Sequence, residues 1–456
     1  MSYLPSGPRI PSLLQLIYWV ADPLNFLERC AKRYGDTFTL RLANFEPFVL
    51  MSNPQGVQEI LSVDARQFDA GRGNDIVEPL VGANSLIVLD GDRHRRDRKL
   101  LMPSFHGESI RTYSDIICQI TEQVASQWQV GQPFEARAAM QEITLEVILQ
   151  AVFGLAEGDR YEQLKPLLAA MLNMFDSPLR SSPLFFPWLQ KKWGAWSPWQ
   201  QFQQRQQRIR ALLQAEIEER RACHSSGTDV LSLMMAARDE QGEAMTDEEL
   251  QDELLTLLIA GHETTATALA WAFYWICQHP QVQDKLLQEL DGVEDPMAIA
   301  RLPYLTAVCQ ETLRIYPVVP VTFPRIARSE VEVMGHQYEA NTLFFPCIYL
   351  IHHRKDLYPD SKQFRPERFL ERQYSAYEFL PFGGGNRRCL GAALAMLEMT
   401  LVLATVLSRY QLALRDNKPI KAARRGLTIA PANEVPLVVT GDRVSHPSTQ
   451  ATVSSI

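Results

Sequence analysis

One unusually long helical pattern constrains this chain more than any other feature of its sequence. The pattern begins with a capping box, in which Thr246 is followed three residues later by Glu249, and continues through LLTLLIAGHETTATALAWAFYWIC to His279. Pro280 ends it, because proline cannot continue the interior of an α-helix. At 1.5 Å per residue the pattern predicts a rod of roughly 50 Å, which crosses a whole domain. The rest of the chain must therefore pack around this helix.

The remaining periodicity predicts a mainly α fold with minor β structure. A second helix is expected to begin near Pro303, a favourable first-turn residue, and to end before Pro317. Strand patterns are confined to two segments, TFTLRLANFEPFVLMS and VEVMGHQYEANTLFFPCIYL. No internal repeat, linker or shift in composition marks a boundary, so residues 1–456 are predicted to form a single domain, with a disordered polar tail from about residue 444.

Two apolar segments raise the question of a membrane. The run from Leu390 to Leu407 approaches the length of a transmembrane helix but contains Glu398, and we interpret it as a helix of the protein core. Near the N-terminus, LLQLIYWVA is too short to span a bilayer and has no charged leader or cleavage site. We therefore predict neither a transmembrane anchor nor export.

Charge and cysteine content narrow the function and the compartment. The formal charge of -8 argues against nucleic-acid binding, which usually needs a basic surface. The seven cysteines are scattered, with no CxxC pair and no spacing typical of zinc ligands. This pattern fits a reducing environment, so a cytoplasmic location is predicted.

A glycine loop before one cysteine is the strongest chemical signal. In PFGGGNRRCLG, three consecutive glycines allow the backbone to pass close to a flat ligand. Cys389 is predicted to open a helix, whose dipole would lower the pKa of its thiol. The residues alone also allow a nucleophilic cysteine or an inert buried one.

The loop resembles the cysteine-loop pattern of the cytochrome P450 family, FxxGxRxCxG. The matching residues are Phe382, Gly385, Arg387, Cys389 and Gly391. The resemblance implies the cytochrome P450 fold and a haem b, with Cys389 as the axial ligand of the iron and Phe382, Gly383 and Arg387 beside the cofactor. It also implies a monooxygenase that activates O2, because sulfur donation favours cleavage of the O–O bond.

The middle of the long helix, AGHETT, resembles the oxygen-binding segment of the same family. Glycine and paired threonines are poor choices for helix stability alone. The resemblance implies that Thr264 donates a hydrogen bond to the bound oxygen, that Glu263 relays protons, and that Ala260 and Gly261 contact the cofactor. The threonine hydroxyl is also expected to bond to a carbonyl one turn earlier and to open the helix. The alternative is a polar notch in a core helix.

Three further motifs match the family. ETLR and PERF imply one buried structural network of Glu311, Arg314 and Arg368, although an i,i+3 pair can equally be a surface pair. HxxxR places His94 and Arg98 one turn apart, where the resemblance implies contacts to the haem propionates. Arg325 in FPRIA implies a third such contact.

Electrons are expected to come from a separate ferredoxin and its reductase, because the chain has no GxGxxG nucleotide fingerprint. A basic docking patch for the acidic ferredoxin is predicted from Arg95, Arg96, Lys99 and Arg388. No nucleic-acid partner is expected, and the protein is predicted to be a monomer.

The substrate is expected to be lipophilic, with fatty acids and terpenoids as the first candidates. The predicted pocket residues are largely apolar and none is charged; they are Ile259, Ala260, Thr265, Val318, Val319, Thr322 and Ile429. The aromatic run FFPWLQKKWGAWSPW, residues 185–199, is predicted either to cap the core or to contact a membrane surface.

Two other functions remain open from the sequence. A haem-thiolate peroxygenase or isomerase would use peroxide and need no redox partner, although the intact Glu263–Thr264 pair argues against it. A non-catalytic haem sensor or lipid carrier would bind a ligand without oxidising it.

Overall fold

A computed structural model describes residues 4–62, 67–172, 183, 190, 197–223, 227–416 and 418–443. The chain is mainly helical with small sheets, which confirms the predicted fold class. Two predictions concern segments that lie wholly or mostly outside the described residues, namely the polar tail from residue 444 and the aromatic segment 185–199. From the latter, Trp199 is described, and its side chain is buried.

The helices, numbered in chain order through the described residues, are α1 (Ser12–Ala21), α2 (Pro23–Tyr34), α3 (Pro54–Ser62), α4 (Glu78–Val81), α5 (Gly91–Leu101), α6 (Glu108–Ala125), α7 (Ala136–Val147), α8 (Asp159–Leu172), α9 (Pro198–Ala222), α10 (Val230–Ala236), α11 (Asp247–Gln278), α12 (Pro280–Leu290), α13 (Pro296–Ile299), α14 (Pro303–Ile315), α15 (Ile348–His352), α16 (Arg368–Glu371) and α17 (Ala392–Arg409). A π-helical turn, Ile148–Val152, continues α7.

Helix α11 is the predicted rod, and its ends are set by the residues that the sequence indicated. The Thr246 hydroxyl accepts from the backbone N–H of Glu249 at 3.2 Å, and the Glu249 carboxylate accepts from the backbone N–H of Thr246 at 2.8 Å. This capping box satisfies donors that the first turn leaves free. The helix ends at Gln278, before Pro280, and packs against α7 and α17. The second predicted helix is α14, which ends two residues before Pro317.

The strands are β1 (Thr37–Leu40), β2 (Phe48–Met51), β3 (Phe68–Asp69), β4 (Pro133–Glu135), β5 (Arg325–Ala327), β6 (Val331–Val333), β7 (His336–Tyr338), β8 (Leu343–Pro346), β9 (Tyr410–Leu414), β10 (Ala422–Arg425), β11 (Thr428–Pro431) and β12 (Pro436–Asp442). The largest described sheet has the order β1-β2-β8-β5-β3, with β2 and β8 parallel and the other pairs antiparallel. Strands β4, β12 and β9 form a second sheet, and β6–β7 and β10–β11 are hairpins. Both predicted strand segments are confirmed.

Helix α17 lies in the core, as predicted from the interrupted apolar run. Among the described residues it is the one helix long and apolar enough to cross a membrane, but 61% of it is buried inside the protein. It packs against α6 and α11. Its burial positions the loop before it, which carries Cys389.

Candidate active site

The glycine loop before Cys389 is held against helix α3. Gly385 has a φ of 66°, and a Cβ at this position would lie 2.1 Å from the carbonyl oxygen of Leu61. The backbone N–H of Cys389 donates to the carbonyl of Phe382 at 2.9 Å, which closes the loop. Gly383 also has a positive φ, of 67°. The tightest glycine contact is therefore with the protein's own backbone, whereas the sequence interpretation assigned it to a flat ligand.

Cys389 is accessible to solvent, yet protein surrounds it closely enough for desolvation to raise the pKa of its thiol. The backbone N–H of Gly391 and the charges of Arg98 and Arg388 act in the opposite direction. Two expectations were wrong here. Helix α17 begins at Ala392, three residues after the cysteine, and the pKa is raised because burial outweighs the donors and positive charges.

The middle of α11 has accessible side chains, whereas residues 250–256 and 265–274 of the helix are buried. Ala260 is exposed and Thr264 is half-buried, whereas Leu258 and Ala266 are fully buried. The Thr264 hydroxyl donates to the carbonyl of Ala260 at 2.5 Å, the bond expected from the sequence. The expected opening of the helix is not observed, since α11 continues without interruption.

Gly261 also has a packing role that the resemblance did not imply. A Cβ on this residue would lie 3.3 Å from Cδ1 of Ile148, in the π-helical turn after α7. The glycine therefore allows close packing of α11 against the continuation of α7. Its expected contact with the cofactor stays a prediction.

Glu263 is held by a set of partners that sequence reasoning missed. Nη2 of Arg137 donates to Oε1 of Glu263 at 2.9 Å, and Nε2 of Gln141 donates to Oε2 at 2.8 Å. The hydroxyl of Thr267 lies 3.2 Å from Oε1. Arg137 also lies 3.7 Å from the carboxylate of Glu434. In the sequence, the only signal for the contact with Glu263 was Arg137 at the start of α7. This signal is weak, because arginines are usually exposed.

A cluster of buried basic side chains lies beside the cysteine loop. It contains the neutral imidazole of His94 and the cations Arg325 and Arg387, which are buried or half-buried, and its acidic neighbours are Asp90 and Asp69. Arg387 pairs with Asp90 at 2.6 Å, and Arg325 donates to the carbonyl of Gly384 at 3.3 Å. Burial and mutual repulsion lower the pKa of Arg325 and of Arg387 to about 10, and that of His94 to about 3.

The excess positive charge in this cluster fits a ligand with carboxylates. Asp90 is already shared with the backbone N–H groups of Ala70, Gly71 and Arg72. Nε of Arg387 is buried and has no hydrogen-bond partner among the described residues. Buried charges need partners, and guanidinium groups suit carboxylates. The two propionates of a haem would satisfy this requirement.

Arg98 connects the cation cluster to the thiol. Burial lowers its pKa, while the charge of Cys389 acts to raise it. A cysteine next to arginines suited to propionates is the arrangement expected of a haem-thiolate site.

The implied structural network of Glu311, Arg314 and Arg368 is present and buried. Arg314 donates to both carboxylate oxygens of Glu311, at 2.6 and 2.8 Å, and Arg368 donates to Oε1 at 3.1 Å. Arg314 also donates to the carbonyls of His352 and Ser361. The network ties α14 to the segment that leads to α16.

The predicted docking patch is largely neutralised, which is a correction. Arg96 pairs with Asp239 at 2.6 Å, Asp97 at 2.8 Å and Glu249 at 3.3 Å, so it joins α5 to the start of α11. Lys99 pairs with Glu240 at 2.6 Å. Arg95 and Arg388 remain exposed, although Arg95 lies 3.0 Å from Asp92.

The predicted pocket residues divide into two groups. Ile259 and Val319 are half-buried and Ala260 is exposed, whereas Thr265, Val318, Thr322 and Ile429 are buried. The expected place of Ile429 in the substrate pocket is corrected, because its side chain packs in the hydrophobic cluster around Phe48 and Leu50.

Two large apolar side chains close in sequence to these residues, Phe323 and Leu427, are exposed at 43% and 36%. Neither was among the predicted pocket residues, and the position of Leu427 in the turn between β10 and β11 was the available signal.

Comparisons with known proteins show which family this chain resembles. The sequence model of the family Cytochrome P450 matches residues 4–436. Cytochrome P450 135B1 of Mycobacterium tuberculosis is 36% identical over 455 residues, covering 98% of this chain and 94% of that protein. Cytochrome P450 135A1 of the same organism is 32% identical over 410 residues, covering 89% and 88%. The solved structure of retinoic acid-bound cyanobacterial CYP120A1 has a TM-score of 0.84 at 24% identity, covering 97% of this chain and 100% of that one.

The chain belongs to the cytochrome P450 family. It is therefore a monooxygenase of the oxidoreductase class with a haem whose iron is ligated by a cysteine. The similarity to the solved structure also confirms the expected fold.

Proposed function

We propose that this protein hydroxylates a lipophilic substrate, a fatty acid or terpenoid, with electrons from a separate ferredoxin and reductase in the cytoplasm. Cys389 is the proposed axial ligand, and His94, Arg98, Arg325 and Arg387 are the proposed propionate contacts. The observation that carries the assignment is the buried cation cluster beside a cysteine loop, because its charge has too few described acidic partners. A thiolate-ligated haem supplies cleavage of the O–O bond and insertion of oxygen into the substrate.

Two residues of α11 are proposed to deliver protons to the site. The Thr264 hydroxyl, now bonded to Ala260, can turn towards the site and donate there, since a hydroxyl rotates freely. Glu263 would pass protons inward when one of its bonds to Arg137 or Gln141 breaks. Salt-bridge partners also hold its carboxylate in one orientation between turnovers.

The substrate class rests on the apolar lining. Ile259, Val319, Phe323 and Leu427 are apolar and at least partly accessible, so they favour a ligand that gives up little hydration on binding. The solved relative CYP120A1 holds retinoic acid, a terpenoid acid. Its fold is shared, which makes terpenoids a sensible first group to test.

Docking of the ferredoxin is proposed at the exposed cations Arg95 and Arg388. Arg388 lies next to Cys389 in the chain, and its charge acts on the Cys389 thiol, which supports a docking site close to the proposed iron ligand. Charge reversal at both residues should slow reduction at low salt and weaken its salt dependence. Reversal at Arg301, an exposed arginine between α13 and α14, is the control. An unchanged rate in R95E/R388E would rule out this face.

The absorption spectrum of the reduced protein under carbon monoxide tests the ligand. A strongly red-shifted Soret band is expected from thiolate ligation, and its absence would overturn the role of Cys389. Spin-state titration with fatty acids, terpenes and aromatic compounds, followed by product analysis, then tests the substrate class. Turnover with peroxide alone, and none with ferredoxin, reductase and NAD(P)H, would indicate a peroxygenase instead.

A further inference from the structure

Helix α1 exposes its apolar side chains. Ile10, Leu13, Leu14, Ile17 and Tyr18 are exposed at 38%, 59%, 42%, 48% and 42%, and they make up half of the ten large hydrophobic residues exposed in the described chain. Scattered exposed apolar residues are ordinary in proteins, but a contiguous group marks an interaction site. The concentration of five within nine residues makes α1 such a group.

The inward face of α1 fixes this orientation. Gln15 is 1% exposed, and its amide donates to the carbonyls of Pro8 and Ile10 at 3.1 and 2.9 Å. Its amide oxygen accepts from the backbone N–H of Arg41 at 3.0 Å. Trp19 is also buried, with its ring 6.1 Å from that of Phe48. A helix at a protein surface normally buries its leucines and exposes its glutamines, whereas α1 exposes Leu13 and Leu14 and buries Gln15.

Positive charge surrounds the apolar face. Residues 4–21 contain no acidic residue, although the whole chain has a formal charge of -8. Arg9 precedes Ile10 and is exposed, and Arg41 is exposed and bonded through its backbone to Gln15. The guanidinium of Arg29 lies 5.4 Å from the ring centroid of Tyr18. Asp22, 3.8 Å from Arg29, is the acidic residue paired here.

We propose that the apolar face of α1 inserts into the surface of an anionic phospholipid bilayer. The helix has ten residues, about 15 Å in length, so it lies in the plane of the interface and does not span the bilayer. Leu13, Leu14 and Ile17 would enter the acyl boundary, and Tyr18 would lie at the level of the headgroups. The three arginines would contact lipid phosphates.

A second copy of the chain explains the same face less well. A symmetric contact would bring Arg9, Arg29 and Arg41 of one copy close to the same arginines of the other. Five partly exposed side chains also present only a few hundred Å², whereas stable interfaces bury about 800 Å² on each partner. A bilayer requires neither charge pairing between copies nor a larger area.

Binding of the haem-loaded full chain to vesicles tests the proposal without any substrate. Vesicles of phosphatidylcholine alone are compared with vesicles that also contain phosphatidylglycerol. We expect wild type to bind the mixed vesicles, and L13D/I17D to bind them at least about tenfold more weakly, because charges at the interface oppose insertion. R29Q/R41Q should lose the preference for phosphatidylglycerol.

The matched control is L370D, a change at an apolar residue of α16 that is 52% exposed outside this face. It should bind like wild type. All three variants should keep the haem spectrum and thermal midpoint of wild type, since the changed side chains are exposed.

Equal vesicle binding by wild type and L13D/I17D would overturn the proposal. So would a wild-type dimer that L13D/I17D converts to a monomer, with no vesicle binding by either. Neither result bears on hydroxylation, because both are measured without turnover.

Discussion

Arg314 is fully buried and uses its whole guanidinium group. Two of its nitrogens bond Glu311, the third bonds two backbone carbonyls, and its charge lies 5.2 Å from the ring centroid of Tyr358. In R314A, the Glu311 carboxylate would stay buried with fewer partners. We expect a loss of about 3–5 kcal/mol in the free energy of unfolding, read from denaturant titration of the haem-loaded protein.

The neighbouring Arg365 provides the control for this prediction. Its side chain is 43% exposed and pairs with Glu371 at the surface. R365A should cost about 0–1 kcal/mol, because exposed pairs are screened by water. Equal losses in R314A and R365A would show that burial of the network contributes nothing.

Gly385 lies where only glycine fits. G385A would place a methyl group 2.1 Å from the carbonyl oxygen of Leu61 and would force an unfavourable positive φ on alanine. The cysteine loop must then move away from α3. We expect the variant to fold but to retain several-fold less haem after gel filtration, measured as the ratio of Soret to protein absorbance.

Gly107 provides a control that separates the collision with Leu61 from the strain of a positive φ as the cause of haem loss. It has the same φ of 66°, and an added Cβ would meet nothing within 4 Å. G107A therefore carries the backbone strain, about 1–3 kcal/mol, without the collision. Equal haem loss in G107A and G385A would contradict the idea that contact with α3 positions the loop.

Short motifs predicted many of these residues, but not their distant partners. The i,i+3 spacing of Glu311 and Arg314 was enough to expect a pair. The carbonyls of His352 and Ser361 are 38 and 47 residues further along, and no local pattern points to backbone acceptors. Gln141 was missed for the same reason, since its bond to Glu263 spans 122 residues.

At the scale of elements, α7 restrains the proposed proton route in α11. R137M would remove the charge that holds Glu263 while keeping the bulk of the side chain. We expect the ratio of hydroxylated product to NAD(P)H consumed to fall several-fold, with more peroxide released, because the carboxylate loses its fixed orientation. The measurement is product and peroxide per NAD(P)H, across pH.

The control is R160M on α8, where Arg160 pairs with Glu216 and Glu219 away from Glu263. Its coupling ratio should match wild type. Unchanged coupling in R137M would remove α7 from the proton route, even if the variant were less stable.

Helix α17 contains a buried carboxyl with a pH-dependent cost. Burial raises the pKa of Glu398 from 4.5 to about 8, and its Oε1 has no hydrogen-bond partner in the described structure. Between these two values the folded state holds a proton that the unfolded chain releases, so stability falls as pH rises. E398Q removes this dependence. We expect its thermal midpoint to match wild type near pH 5 and to exceed it increasingly towards about pH 8.

Glu371 is the matched surface position, with a side chain 58% exposed. E371Q should differ from wild type by an amount that stays nearly constant over the same pH range. A constant difference for E398Q as well would mean that Glu398 is ionised in the folded protein.

Long elements with caps were predictable, and short strands were not. The capping box and Pro280 located both ends of α11 from local chemistry alone. Strand β4 has three residues, and it exists because Leu437 in β12 pairs with Phe134 about 300 residues away. Its sequence carries no alternation long enough to detect, and the same holds for β3 and β5.

At the scale of the whole molecule, charge could not be assigned to a surface from the sequence. Arg95, Arg96 and Lys99 form a basic run along the chain, but Asp239 and Glu240 reach α5 from more than 140 residues away. Neutralisation of the run is a tertiary effect. The exposed apolar face of α1 was not predicted either. In the sequence its apolar residues suggest burial, and only the contacts of the buried Gln15 show that the opposite face of the helix points inward.

The bond between Asp90 and Arg387 also sets an order of events during synthesis. It joins residues 297 positions apart, and Arg387 leaves the ribosome two residues before Cys389. Helices such as α11 can form earlier from local contacts, whereas contacts across such a loop form late. Until the cysteine loop arrives, the Asp90 carboxylate lacks the guanidinium of Arg387, and the site lacks its proposed ligand, Cys389. We therefore expect capture of haem to be one of the last steps in the folding of the chain, so cells that make the protein faster than they supply haem should accumulate a nearly folded precursor.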